Sequence, residues 1–212
     1  ANAQLRERLK KENIKSIISY FLAKDFSNTL KYLRGAHNYE NAAAALLINK
    51  TLGNKFEQAI KTITEFKGVR YRQEIVEERD SVFFVNDSTS TTPISTIKAL
   101  EAFNDGKVVL ILGGNSKQLP FDELVARLDS VDFIVLLQGS FTDEILNPLK
   151  KKYPEKISEP YDSLKVAVEK AYEGAQNFQQ KTYILFSPGA TSFDMFANEF
   201  DRARQFDELV RK

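Results

Sequence analysis

From Tyr71 onward, short apolar runs alternate along the chain with longer amphipathic stretches of helical period. The runs VVLIL and FIVLL are apolar at every position, which is typical of parallel strands covered by helices on both faces. The pattern predicts strands at Tyr71–Val76, Ser81–Val85, Val108–Leu112, Phe133–Leu137, more weakly around Ile157, and at Tyr183–Phe186. It predicts helices at Pro93–Phe103, Phe121–Leu128, Thr142–Lys151, Ser163–Ala175 and Phe193–Val210. The predicted fold class is α/β, a doubly wound, Rossmann-like and mostly parallel sheet.

The pattern before Tyr71 is mainly helical. It predicts a charged helix, one β-branched strand and two further helices, at Gln4–Glu12, Ile14–Phe21, Asn41–Leu52 and Lys55–Phe66. One strand cannot form a sheet alone. We therefore interpret residues 1–72 as the remnant of a larger domain and residues 73–212 as a domain of its own.

Charge divides the chain at the same place. Its 30 Lys and Arg nearly balance its 29 Asp and Glu, but residues 1–72 hold 14 basic and 6 acidic residues, so the remainder is net acidic. The basic residues are scattered along helical patterns without interleaved aromatic residues. This arrangement indicates a solvated helix surface rather than a nucleic-acid site. The sign change near Arg72 supports a domain boundary there.

The chain has no cysteine and one histidine, His37. Disulfides, thiolate nucleophiles and cysteine or histidine metal clusters are therefore excluded, and the expected compartment is the cytoplasm. The absence of G-x-S-x-G argues further against a serine hydrolase. No apolar run approaches the roughly 18 residues of a membrane span, and the first residues lack the apolar core of a signal peptide.

Small and polar residues follow four of the predicted strands. The segments are 86–92 (NDSTSTT), 113–117 (GGNSK), 138–140 (QGS) and 187–192 (SPGATS). Because ligands of such sheets bind at the carboxyl ends of the strands, these tips predict a site for a carboxylate or phosphate, with Lys117 adding positive charge. Simpler interpretations exist: residues 88–92 precede Pro93 and could only cap a helix, and Ser192 could be an N-cap.

Taken together, the motifs are more specific than any one tip. They are, in chain order, 33–45 (LRGAHNYENAAAA), 68–74 (GVRYRQE), 86–92, 112–117 (LGGNSK), 187–196 (SPGATSFDMF), and 200–202 (FDR) with Phe206. In order and spacing, they resemble the ATP-dependent Mur ligases, and among these the branch that adds D-glutamate. The resemblance runs from Leu33 to the end of the chain.

The resemblance implies a function and a domain plan. Residues 1–72 would end a central ATPase domain, and residues 73–212 would be the C-terminal domain that binds the incoming amino acid. ATP would phosphorylate the carboxylate of UDP-N-acetylmuramoyl-L-alanine, and the D-glutamate amine would attack the acyl phosphate. The implied cofactors are ATP and Mg²⁺, with most Mg²⁺ ligands and the UDP-sugar contacts outside this chain. We expect a monomer, and a chain inactive alone because it lacks G-x-x-x-x-G-K-[ST].

Eight residues match ligand positions of the family, and no catalytic residue is assigned. Toward ATP, the resemblance places Asn38 and Asn41 at the adenine, Arg72 at the phosphates and Asp87 at the ribose. Toward D-glutamate, it places Thr91, Lys117, Ser192 and Phe200, the first three as donors to carboxylates and Phe200 through main chain or packing.

Three departures from the family pattern stand out. Thr89 replaces a usual Lys, Thr92 replaces a usual Asn, and one extra residue separates Phe196 from Phe200. The alternatives are a sister ligase that adds another amino acid, or glutamate to folate, and a non-catalytic module that binds nucleotides or anions. The conjunction of segments 86–88 and 192–194 favours the D-glutamate branch.

Overall fold

A computed structural model describes residue 7 and residues 19–211. The helix expected over Gln4–Glu12, apart from Glu7, and Ile14–Ile18 of the expected strand lie outside the described residues. The chain divides into two compact units, Ala1–Lys67 and Gly68–Lys212. The division therefore falls before Arg72, the boundary predicted from charge.

The first unit is built around two helices, α1 (Ala36–Thr51) and α2 (Phe56–Thr64). A small core joins Phe26 and Leu30 to Ala42 and Ala43 of α1. The strand predicted up to Phe21 is absent from the described residues 19–21, and the described residues of this unit contain no other strand with which they could pair.

Helix α1 begins earlier than the expected Asn41. The segment before Asn41 has low intrinsic helix propensity. Local hydrogen bonds offset this disadvantage. The main-chain N–H of Asn38 donates to Gly35 O (3.1 Å), and the side-chain Nδ2 of Asn38 donates to Arg34 O (2.7 Å). These bonds close the first turn of the helix.

The second unit contains a six-stranded sheet in the order β1-β2-β6-β3-β4-β5. The strands are β1 (Glu74–Arg79), β2 (Val82–Asn86), β3 (Lys107–Gly113), β4 (Phe133–Leu137), β5 (Ile157–Tyr161) and β6 (Thr182–Phe186). Strand β1 is antiparallel to β2, and every other neighbouring pair is parallel. Strand β6, the last in sequence, lies between β2 and β3.

Helices cover both faces of this sheet. They are α3 (Pro93–Ala102), α4 (Asp122–Arg127), α5 (Ser140–Lys152), α6 (Leu164–Gln176) and α7 (Glu199–Val210). One core contains Ile97, Leu124 and Ile145, so α3, α4 and α5 pack on one face. The other contains Ala167 and Phe206, so α6 and α7 pack on the opposite face. The predicted doubly wound α/β class is confirmed.

Three predicted boundaries in this unit are wrong, namely both ends of β1 and the start of α7, and β1 ends at Arg79 rather than Val76. Strand β1 starts at Glu74 rather than Tyr71, because Tyr71 and Gln73 have positive φ (64° and 52°), which an extended strand does not allow. Helix α7 starts at Glu199 rather than Phe193. Its N-cap is Asn198, whose Oδ1 accepts from the N–H groups of the first turn at 3.0 and 2.9 Å, so Ser192 is not the N-cap.

The loop after β4 depends on Gly139. Its φ is 150°, and a Cβ at this position would lie 2.3 Å from the carbonyl oxygen of Gly114. The backbones of two strand tips therefore approach each other more closely than any side chain permits.

We expect Gly139→Ala to destabilise the second unit by more than about 3 kcal/mol, because positive φ and a steric clash act together. Gly53→Ala is the control for the cost of positive φ alone, read on the first unit, since Gly53 also has positive φ (74°) but a Cβ added there would meet no heavy atom within 4 Å. The control should cost about 1–2 kcal/mol in urea unfolding. Equal losses would show that the close approach at Gly139 is unimportant.

Candidate functional site

Main-chain hydrogen bonds join the strand tips at the carboxyl edge of the sheet. Asn115, after β3, forms a two-way antiparallel bridge with Thr191, after β6, with N···O distances of 3.1 and 2.9 Å. Gly189 N donates to Ser90 O (3.0 Å), which links the β6 and β2 tips. Phe141 N donates to Gly114 O (3.0 Å), which links the β3 tip to the segment after β4. The four tips thus form one continuous rim.

Two of the residues predicted to bind D-glutamate contact each other on this rim. The Nζ of Lys117, from the β3 tip, donates to Thr91 Oγ1, from the β2 tip, at 2.8 Å. Lys117 is exposed and Thr91 is half-buried. An ammonium group has three N–H donors, so this contact leaves others for a carboxylate oxygen. The pair is suited to binding an anion at the solvent boundary.

A cavity of about 320 Å³ opens at the same edge. Its wall comes from residues 113–115 after β3, 137–139 after β4 and the 191–196 loop after β6, with Asp162 and Arg202 completing it. Ser192, only 4% exposed, lines this cavity. Thr91 and Lys117 are not among its lining residues, so the predicted D-glutamate residues are divided between the cavity and the outer rim.

Phe200 occupies the first turn of α7. Its side chain is 58% exposed, and its N–H donates to Asn198 Oδ1 at 3.0 Å in the helix cap. Its main-chain donor is therefore already used, and Phe200 does not line the cavity. A role toward D-glutamate stays a prediction for this residue.

Asp87 is a fully buried carboxylate just after β2. Its Oδ1 accepts from Gln73 N (3.1 Å) and its Oδ2 accepts from Ser187 Oγ (2.7 Å). Burial raises the pKa of Asp87 to about 6, against an ordinary value of 3.8, although these hydrogen bonds favour the ionised form. The group predicted to meet the ribose is thus enclosed by donors of the chain itself.

Arg202 is a buried cation that sequence reasoning did not single out as a site residue. It is 1% exposed, and its Nε and Nη2 donate to Ser88 Oγ (3.0 Å) and Ser88 O (2.7 Å). Both Nη atoms also donate to Ala190 O at 3.2 Å. Burial lowers its pKa to about 10, so it remains charged at neutral pH. Its guanidinium fastens the β2 tip to the β6 tip.

A sequence signal for Arg202 exists. Residues 202, 203, 206 and 210 are buried positions on one side of α7, and the other three are Ala203, Phe206 and Val210. A basic residue in register with an apolar helix face is unusual unless its charge is compensated. The position of Arg202 on the buried side of α7 therefore indicates that its side chain makes buried polar contacts, but it does not identify the residues that it contacts.

The residues predicted to contact ATP are divided between the two units. On α1, Asn41 Nδ2 donates to Asn38 Oδ1 at 3.2 Å, so these side chains share one helix face. Arg72, in the second unit, is exposed. Arg72 directly precedes Gln73, whose main-chain N–H donates to Asp87 Oδ1.

Neither a metal cluster nor a membrane-crossing helix is present in residues 19–211. No three His, Asp or Glu side chains of this part of the chain are placed to hold a metal ion together. None of the described helices is long and apolar enough to cross a membrane.

The fold and the rim define a class: a doubly wound α/β domain with a polar edge at the carboxyl ends of its strands. Residues 71–189 match the family described as "Mur ligase, glutamate ligase domain". The chain belongs to this family, which confirms the resemblance seen in its motifs.

Curated relatives agree with this assignment. The chain is 38% identical over 180 residues to the UDP-N-acetylmuramoylalanine–D-glutamate ligase of Roseiflexus sp. (strain RS-1), covering 84% of this chain and 38% of that protein. It is 37% identical over 178 residues to the ligase of the same name from Aquifex aeolicus (strain VF5), covering 84% and 41%. The chain thus spans about two-fifths of these relatives.

Solved structures share the fold at lower identity. The MurF ligase from Thermotoga maritima in complex with ADP has a TM-score of 0.59 at 21% identity, over 85% of this chain and 40% of that one. The Mycobacterium tuberculosis folylpolyglutamate synthase complexed with ADP has a TM-score of 0.62 at 15% identity, over 82% and 41%. These similarities support the α/β architecture.

Proposed function

We propose that this chain is the amino-acid-binding part of an ATP-dependent ligase that adds D-glutamate to UDP-N-acetylmuramoyl-L-alanine. Besides the similarity to these relatives, one structural observation supports the proposal. Thr91, Ser192 and Lys117 follow β2, β6 and β3, which are three consecutive strands in the sheet. Three donor side chains from distant parts of the sequence therefore lie along one stretch of the rim.

These donors suit a dicarboxylate. A hydrogen bond to a charged group contributes roughly 1.5–3 kcal/mol, and Lys117 with its partner Thr91 offers such a bond to one carboxylate. Ser192 offers a hydroxyl at the cavity wall for the other. Holding both carboxylates fixes the direction of the free amine, which is the group that must reach the acyl phosphate.

The proposed reaction has two steps. The γ-phosphoryl group of ATP passes to the carboxylate of UDP-N-acetylmuramoyl-L-alanine and gives an acyl phosphate with release of ADP. The D-glutamate amine then attacks the carbonyl carbon, loses a proton, and inorganic phosphate leaves. The part of this chain in the second step is to bind and orient the amine.

The ATP contacts remain part of the proposal. Asn38 and Asn41 carry amides suited to a purine edge, and Arg72 carries a charge suited to phosphate. Asp87 is fully buried, so for it to bind a ribose hydroxyl the surrounding segments must first open to expose a carboxylate oxygen. We retain the cytoplasmic monomer and an Mg²⁺ site supplied mainly by other parts of the ligase as predictions of the family resemblance.

A titration of the isotope-labelled chain with D-glutamate and L-glutamate tests the proposal. We expect selective shifts at the rim with D-glutamate, and about ten- to a hundred-fold weaker binding in Lys117→Ala, because a charged hydrogen bond is lost. Lys165→Ala, on the outer surface of α6, is the matched control and should bind as the wild type does.

Three results would count against this function. Absence of D-glutamate binding, or equal affinity in Lys117→Ala, would exclude the proposed contact. A preference for L-glutamate would favour a sister ligase of different amino-acid specificity. Binding of nucleotide without either amino acid would favour the non-catalytic module.

A further inference from the structure

Asn115 uses its whole side-chain amide to connect separate parts of the rim. Its Nδ2 donates to Phe193 O at 2.7 Å and to Asp194 Oδ2 at 2.6 Å, both in the 191–196 loop. Its Oδ1 accepts from Ser140 N, at the start of α5, at 3.1 Å. Lys117 follows only two residues later in the chain. Asn115 therefore joins the segment that carries Lys117 to two other tips.

The three partners agree on one orientation of this amide. Two acceptors face the NH₂ group and one donor faces the carbonyl oxygen, so a flipped amide would oppose all of them. A carboxylate of the same shape could accept from Ser140 N but would oppose Phe193 O and the negative charge of Asp194. The position thus requires the chemistry of an amide as well as its size.

The 191–196 loop has few other anchors near Phe193 and Asp194. The Phe193 side chain is 60% exposed, and Asp194 has a φ of 76°, a conformation that costs a non-glycine residue free energy. Packing begins again at Met195, which is half-buried against the core, and at Phe196, which is buried. Between Ser192 and Phe196, the amide of Asn115 is therefore the principal polar attachment of the loop to the β3 tip.

We propose that Asn115 is a positioning residue: its side-chain amide holds Phe193 and Asp194 against the β3 tip and, together with the main-chain bridge to Thr191, sets the separation between Lys117 and Ser192. This inference rests on the proposed function, because Lys117 and Ser192 are the proposed D-glutamate contacts. Asn115 acts through these two residues and does not itself contact the amino acid. The variants described next change the hydrogen bond from Asn115 Nδ2 to Asp194 Oδ2.

Asn115→Asp keeps the side-chain shape and replaces the NH₂ donor with an acceptor facing Asp194. We expect the dissociation constant for D-glutamate to rise about ten-fold or more, because a donor–acceptor pair becomes a repulsive pair of carboxylates. Asp194→Asn in the same chain restores a donor opposite the new carboxylate and should recover part of the affinity, because Phe193 O still faces an acceptor. Asp194→Asn alone should bind like the wild type, because Asn115 can still donate to an amide oxygen.

Recovery of D-glutamate affinity when Asp194→Asn is added to Asn115→Asp would not be expected if Asn115→Asp merely destabilised the fold. If Asn115→Asp does not fold, Asp194→Ala provides the same test at an exposed position, and about two- to five-fold weaker binding is expected there from the loss of one hydrogen bond. Amide spectra of each variant report folding separately from affinity.

The outcomes separate this inference from the proposed function. A wild type that binds D-glutamate, with Asn115→Asp and Asp194→Ala binding equally well, overturns the positioning role and leaves the function standing. Weaker binding by Asn115→Asp without recovery in the double variant also overturns it. A folded wild type that does not bind D-glutamate overturns both.

Discussion

Arg202→Met should lower the free energy of unfolding of the second unit by about 2–4 kcal/mol, although methionine fills much of the same space. The substitution leaves Ser88 O and Ala190 O, both accepting from the guanidinium, buried without that donor. An unpaired buried carbonyl costs roughly 1–3 kcal/mol, and relief of the desolvated charge offsets part of the loss. Urea unfolding followed by tyrosine fluorescence measures the change.

Arg204→Met is the matched control, because Arg204 lies on the same helix with its side chain 60% exposed. Its ion pairs with Asp201 and Glu208 are at the surface, so its loss should cost less than about 1 kcal/mol. Arg202→Met should also weaken D-glutamate binding, because the guanidinium no longer hydrogen-bonds to both the tip that carries Thr91 and the tip that carries Ser192. Similar stabilities for the two variants would show that the buried guanidinium does not hold the tips together.

Asp87 should make the second unit less stable as the pH rises from about 4 to 7. Its pKa is raised to about 6 in the folded chain, so the folded state holds the proton that the unfolded chain releases near 3.8. The stabilisation is complete below the unfolded pKa and is lost as the pH passes the folded pKa. A shift of this size corresponds to roughly 3 kcal/mol.

Asp87→Asn removes this titration. We therefore expect the variant to gain stability relative to the wild type between pH 4 and 7, measured by urea unfolding at each pH. Asp201→Asn provides a control of opposite sign, because the Ala197 N–H and Arg204 lower the pKa of Asp201, so its contribution is lost as the pH falls. A pH-independent difference between Asp87→Asn and the wild type would show that the buried carboxyl does not titrate in this range.

The central strands could be predicted from sequence because their environment is the same on both faces. Residues 108–112 are apolar at every position, and the strand pairs with β4 and β6 and is covered by both helix layers. The segments that carry Thr91 and Lys117 could be predicted to share one rim for a related reason, since the ends of parallel strands meet at one edge. These inferences use only the period of the chain and the topology of the sheet.

The missed features depend on contacts between distant residues. The segment 193–198 has a composition compatible with a helix, and only the hydrogen bonds from Asn115 and the cap formed by Asn198 show why it forms a loop. The start of β1 was missed because positive φ at Tyr71 and Gln73 has no clear signature in residue type. The role of Arg202 was likewise not predictable, because its partners Ser88 and Ala190 lie on two different strand tips that only the fold brings together.

The position of β6 has a consequence for how the chain is made. Strands β2 and β3 pair with β6 and not with each other, yet β6 is the last of the six strands in sequence. During synthesis, the earlier strands therefore present open edges until residues 182–186 emerge from the ribosome, and such edges invite pairing with other chains. The segment that carries Ser192 directly follows this strand, so the rim cannot be complete before β6 has been made.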